Sequence, residues 1–344
     1  MNKQTNFKKF SFLLIVGYVL NNSIFSYKLS VPKIANNNNL GATKEFAENF
    51  ESFAKEFSKS YSDSMAFSAK LGEQIGLDSI DVFPRFLIGF NMGVSFGKTK
   101  GLAKNEATKK LTRGAVPEML PTLNPVLYLG TGINELWDIR LKIFPTSKIA
   151  MPESITKSEK MKTSIKMGAF GLSSKYHLLP RERFRLGISL GGNICYYKGE
   201  IEIAKEKMEA GDIISKKNNS AVINGAEYSM KTSGSWSAIS FGPEIKTYLD
   251  LMFIIPYVGY GISFNVGKFT TALDIDGKIQ IESDALEDSS LGLKVKKTAY
   301  ATPLNHRLLL GLEFSIFIVK LGFETVVNLR SRTVGVNFGV RLQF

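Results

Sequence analysis

The sequence predicts an all-β fold, a transmembrane antiparallel β-barrel of about ten strands (roughly 8–14 are compatible) behind a short N-terminal amphipathic helix. Three observations predict it. Long segments alternate apolar and polar residues with a period of two, and several reach the roughly ten residues that a tilted strand needs to cross the hydrocarbon. The chain opens with a secretory leader, yet no later apolar run reaches the ~18 residues of a membrane helix, so a membrane form must be a closed barrel. The connections between alternating segments are by turns short and long.

The leader comes first. Lys3, Lys8 and Lys9 form a positive n-region, Phe10 to Leu20 an apolar core, and small residues follow up to Ser26. Residues 1–26 are therefore expected to be a signal peptide, and 27–41, with the run Asn36 to Asn39, a linker. Between 42 and 78 the spacing turns helical: Phe46, Phe50, Phe53 and Phe57 fall on one face. That stripe is expected to be buried, at the periplasmic mouth against Leu87, Phe253, Ile255 and Leu309.

Residues 79–344 form the predicted barrel. Strands are expected near 85–97, 121–131, 135–145, 161–175, 183–199, 234–249, 253–267, 303–316, 318–330 and 332–344. Their apolar faces meet lipid. The opposing faces mix glycine with charge, and Arg140, Lys142, Lys166, Arg185, Lys320, Glu324 and Arg341 are the candidates to line the lumen. Glu313 could pair with Lys320 or Arg330 on a neighbouring strand and close it. In the last strand Val334, Val336, Phe338, Val340, Leu342 and Phe344 oppose Asn337, Arg341 and Gln343. Phe338 should reject Asp, whereas Asn337 on the other face should accept it. Long connections at 98–120, 146–160, 200–233 and 268–302 belong outside; short ones near 132–134, 176–182, 250–252 and 317 belong inside. The turn near 330–333 is the exception, short although external.

The terminal strand, ending on the aromatic Phe344, resembles outer-membrane barrel proteins of diderm bacteria. The resemblance implies that Phe344 is the assembly signal read by the barrel-assembly machinery, and that outer-membrane lipid is the chain's surroundings. A second stretch, Phe57 to Phe67 followed by Pro84 and Gly89, Gly93 and Gly97, is similar to uncharacterised spirochaete outer-membrane proteins, some of them compared with fatty-acid channels.

Chemistry is sparse. The net charge of +13 falls to +10 without the three leader lysines, and the lysines are scattered, so no nucleic-acid partner is expected. Cys195 is alone and cannot form an intramolecular disulfide; with only two histidines no metal site and no cofactor is expected. His177 is expected in a periplasmic turn and His306 at the outer end of a strand, so no enzymatic activity is expected. No Gly-x-Gly-x-x-Gly opens a helix. The leading expectation is a channel or transport protein for small solutes or hydrophobic compounds. The alternative is a closed barrel acting through its extracellular loops as an adhesin or structural protein.

Overall fold

The computed structural model describes residues 39–71, 86–98, 104–106, 119–150, 161–178, 186–210, 222–282 and 289–344. The leader, most of the linker and Arg185 lie outside them. The helix α1 spans Asn39–Lys70. Eleven strands follow: β1 Phe86–Lys98, β2 Met119–Gly132, β3 Trp137–Ala150, β4 Met161–His177, β5 Leu186–Ala210, β6 Val222–Leu249, β7 Ile254–Glu282, β8 Ser289–Tyr300, β9 Leu304–Ile316, β10 Val319–Asn328 and β11 Val334–Gln343.

Ten strands close a barrel. Each pairs antiparallel with its neighbour, β1 meets β11 from Leu87↔Gln343 to Phe96↔Val334, and β6 meets β7. The strand β8 stands outside this ring because β7 changes partner. Ile254 to Phe264 of β7 pair with β9, whereas Lys268 to Ile279 pair with β8.

The strands β5, β6 and β7 run 25, 28 and 29 residues, well beyond the roughly 9–11 that span a membrane. Their side chains locate the boundary. On the outward face of β5, Leu190, Ile194 and Tyr196 give way to exposed Lys198 and Glu200; on β7, Phe264 and Val266 give way to Lys268. On β6 the change falls between Ile239 and Ser237, in register with both. Above this line the outer face is wet and the inner face becomes the apolar one, so Ile165, Met167, Trp236, Phe269, Leu273 and Ile275 are buried inward. The barrel is thus lipid-facing below and carries a water-facing platform above, at the end of the long connections. The opposite rim holds the tight turns, with positive φ at Met252 (76°) and Phe317 (51°). A lipid-facing apolar band on a closed barrel makes this a bacterial outer-membrane protein.

The helix runs down the inside. Phe50, Phe53, Phe57, Tyr61 and Met65 pack on Val126, Ile165, Met167, Tyr197, Trp236 and Phe269 in the platform. Further along, Phe67 and Leu71 reach Leu309 and Val326 within the barrel. This corrects the expected position at the periplasmic mouth: Phe253 is exposed, and Ile255 packs with Tyr248 and Tyr257. The phenylalanines sit at the other end because the larger apolar stretch of the described inner wall lies there. Each such ring taken from water contributes on the order of 1.5–3 kcal/mol. The helix also covers the free edge of β8. Ser58 and Ser62 donate to the carbonyls of Lys297 (3.3 Å) and Tyr300 (3.1 Å), and the Thr302 amide donates to Asp63 (2.6 Å). Unpaired edge groups invite foreign strands, and a covering helix removes the invitation.

Candidate functional site: the occupied barrel interior

Below the platform the inward positions are mostly polar. Of the residues expected to line the lumen, Arg140, Lys142, Lys320, Glu324 and Arg341 are buried inside the barrel. Lys166 is not; it is exposed on the outer face, between inward Ile165 and Met167. The alternation in β4 is unbroken, but Lys166 lies above the membrane boundary, where the charged side is the outer one.

Ion pairs cross this interior. Glu324 on β10 accepts from Lys246 of β6 at 2.8 Å and from the Tyr257 hydroxyl at 3.1 Å, and its other oxygen accepts from Asn337 at 3.0 Å. Lys246 also lies 3.6 Å from Glu244, which lies 3.7 Å from Arg307. Arg341 donates to Glu313 at 2.7 Å. Glu313 therefore reaches a partner two strands away, and Gly322 and Gly339 stand beside it in the register and leave the side chain room to pass. Lys320 donates to Ser315, and Arg330 is exposed, its guanidinium donating to the Leu304 carbonyl at 3.3 Å. His177, expected in a turn, ends strand β4 and is buried with its Nε2 3.2 Å from Asp138.

Several glycines on this face serve as sockets. A Cβ on Gly311 would overlap the Tyr257 ring, one on Gly187 the Tyr248 ring, and one on Gly89 the Tyr128 ring. Small positions opposite large ones let the inward side chains fill the taper of a narrow barrel. The helix joins the layer at its C-terminus. Lys142 donates to the carbonyls of Ala69 (3.0 Å) and Leu71 (3.2 Å), where the helix dipole favours a cation, and Lys70 donates to the Asn193 carbonyl at 3.3 Å. Asn124 donates to Leu71 at 3.2 Å as well.

Sequence reasoning missed Glu244, Lys246 and Lys175 as interior charges. The signal was present in their parity: Glu244 and Lys246 share the face of Ser240, opposite Phe241 and Ile245. On the platform the charges are ordinary surface groups. Lys231 lies 2.8 Å from Glu202, whose carboxylate holds the ammonium above its usual range. Among the described residues no group of three or more His, Cys, Asp or Glu could hold a metal ion.

The family model described as Lsa36-like matches residues 33–344, taking in helix and barrel together. The chain belongs to the Lsa36-like family. No curated protein matches it. Among solved structures this Lsa36-like chain is similar to the outer membrane protease OmpT from Escherichia coli, at 8% identity and a TM-score of 0.34, covering 79% of this chain and 99% of that one. It is also similar to the translocator domain of the autotransporter NalP from Neisseria meningitidis, at 8% identity and a TM-score of 0.30, covering 78% and 90%. A Pseudomonas aeruginosa FadL homologue matches at 8% identity and a TM-score of 0.26, covering 85% and 97%. The likeness is one of fold.

Proposed function

We propose that this protein is a closed outer-membrane barrel that anchors a cell-surface interaction platform, the platform being the working part. The observation that carries the proposal is α1, which fills the apolar platform core and ends on Lys142 above the ion-paired layer. A solute would have to displace both the helix and the pairs Lys246–Glu324 and Arg341–Glu313. The polar inward face that suggested a channel is thus engaged in side-chain pairing, as interiors of narrow barrels are filled by side chains. Phe344 is exposed, and its amide and carbonyl exchange hydrogen bonds with Phe86 at the closing seam; that position suits an assembly signal offered to the barrel-assembly machinery.

The test is single-channel recording of the purified full chain in a planar bilayer, with labelling of intact cells by a membrane-impermeant maleimide. The expected results are no steady conductance, and labelling of Glu51→Cys and Lys296→Cys but not of Phe253→Cys. Stable openings of the intact chain would overturn closure and restore the transport reading. Labelling of the Phe253 variant alone would invert the topology.

A further inference from the structure

The lipid-facing wall of the barrel has a notch. Across β3 to β6 the outward residues lie in rows set by the register. One row runs Trp137, Tyr176, Leu190 and Ile245, and a parallel one Leu141, Leu172, Ile194 and Phe241. Between them lies the row Ile139, Ser174, Gly192 and Pro243, with two of the smallest side chains at its centre. The result is a cavity of about 350 Å³ whose lining includes Ile139, Leu172, Ser174, Gly192, Ile194 and Phe241. That volume is at the lower end of small-ligand sites, which start near ~300 Å³. A Cβ built on Gly192 finds nothing within 4 Å. The floor is the backbone of β4 and β5 at Ser173 and Asn193, whose side chains point inward.

We infer that this groove seats one acyl chain of an outer-membrane phospholipid. Three observations lead there. The groove is continuous with the lipid-facing band, bordered by Leu172, Ile194 and Phe241, which are 47%, 50% and 42% exposed to that side. Its walls are almost wholly apolar, so hydrocarbon fills it and water does not; an empty slot would forfeit the dispersion contacts of its lining. It also opens one row from the rim pair Trp137 and Tyr176, with the Trp137 indole donating to Ser174 at 2.5 Å. Tryptophan and tyrosine at the interface mark the level of the headgroups. A chain entering beside them passes the Ser174 and Gly192 gap toward Phe241.

Photo-crosslinking tests this. The full chain is reconstituted in phosphatidylethanolamine–phosphatidylglycerol vesicles containing a phosphatidylcholine with a diazirine on one acyl chain, and peptides are mapped after irradiation. Adducts should concentrate on residues 172–174, 192–194 and 241. Gly192→Leu, which meets no atom at its Cβ, should lower those adducts about fivefold through lost chain contacts while adducts near Leu310 and Phe323 on the opposite wall stay constant. A parallel arm with a free diazirine fatty acid should label the groove less than the phospholipid does; stronger labelling there would assign it to free fatty acid and overturn the lipid proposal. Uniform labelling around the wild-type barrel would overturn it too, whatever Gly192→Leu does to insertion.

Discussion

The ion pair between Lys246 and Glu324 offers a quantitative check on the occupied interior. Both side chains are buried, and their Nζ–Oε2 separation is 2.8 Å. Removing one partner of such a pair strands a charge and costs about 3–5 kcal/mol. The two single replacements are not equivalent. In Glu324→Leu the ammonium keeps Glu244 at 3.6 Å, so the loss should sit near the lower end. In Lys246→Met two carboxylates lose their nearest cation; Glu244 retains Arg307 at 3.7 Å, and Glu324 retains the Tyr257 and Asn337 donors. That loss should sit at the upper end, at least 1 kcal/mol beyond the first. The double variant removes both charges and should recover most of the deficit, since apolar replacements of buried pairs range from neutral to stabilising. Urea unfolding of vesicle-inserted protein, followed by loss of the compact unheated gel form, measures all three. If both singles cost under ~1 kcal/mol, the value of a surface pair, these groups are hydrated and the interior is open. A double variant worse than either single would refute the pairing itself.

Three further outcomes follow from the same geometry. Phe57→Ala should cost about 3–5 kcal/mol in the same unfolding assay, because the ring is buried against Phe53, Tyr61 and Phe269; unchanged stability would mean the helix is not seated in the platform. Phe338→Asp places a carboxylate on the lipid face, where charge costs up to ~2–4 kcal/mol for Lys or Arg and less for Asp, and membrane yield should fall. Asn337→Asp should also fail, against the sequence-based expectation, because Asn337 donates to Glu324 and a second carboxylate there repels it; Asn337→Ser should be milder, and equal yields for the Asp and Ser variants would count against the contact. Gly311→Leu should block insertion or destabilise the barrel by displacing the Tyr257 ring, whereas Gly192→Leu should insert normally on heat-modifiability gels.

Much of the barrel was legible because period two survives along every membrane segment, so the lipid-facing set from Phe86 to Leu342 could be read by parity. What parity cannot reveal is where the solvent changes. Leu273 and Ile275 alternate with Asp274 and Asp276 as clearly as any membrane segment, yet they fall in a stretch assigned to a loop. The strand β8 hides likewise behind Lys294 and Lys296, an outer face bathed in water. Lys166 was misassigned for the same reason: the sequence carries the alternation but not the membrane boundary that decides which side a charge prefers. The N-terminal half of β6 alternates weakly, and its ladder with β5 and β7 imposes the strand. The helix stripe was visible in Phe50, Phe53 and Phe57, but its burial site depended on an apolar platform core that the misread loops concealed. Partners such as Arg341 for Glu313 were out of reach because they form across strands that are distant in sequence.

The long β6–β7 ladder has a mechanical consequence. It runs unbroken in direction from Val222↔Glu282 at the tip of the platform to Tyr248↔Tyr257 at the opposite rim. The platform and the membrane anchor are therefore segments of the same strands, with no hinge peptide between them. A ligand tugging outward on the platform pulls along the strand axes, so the ladder's hydrogen bonds are loaded in shear and must yield together, not one after another as in a peeled hairpin. The weak direction is sideways, at β8, which is held by β7 on one side and by the serines of α1 on the other.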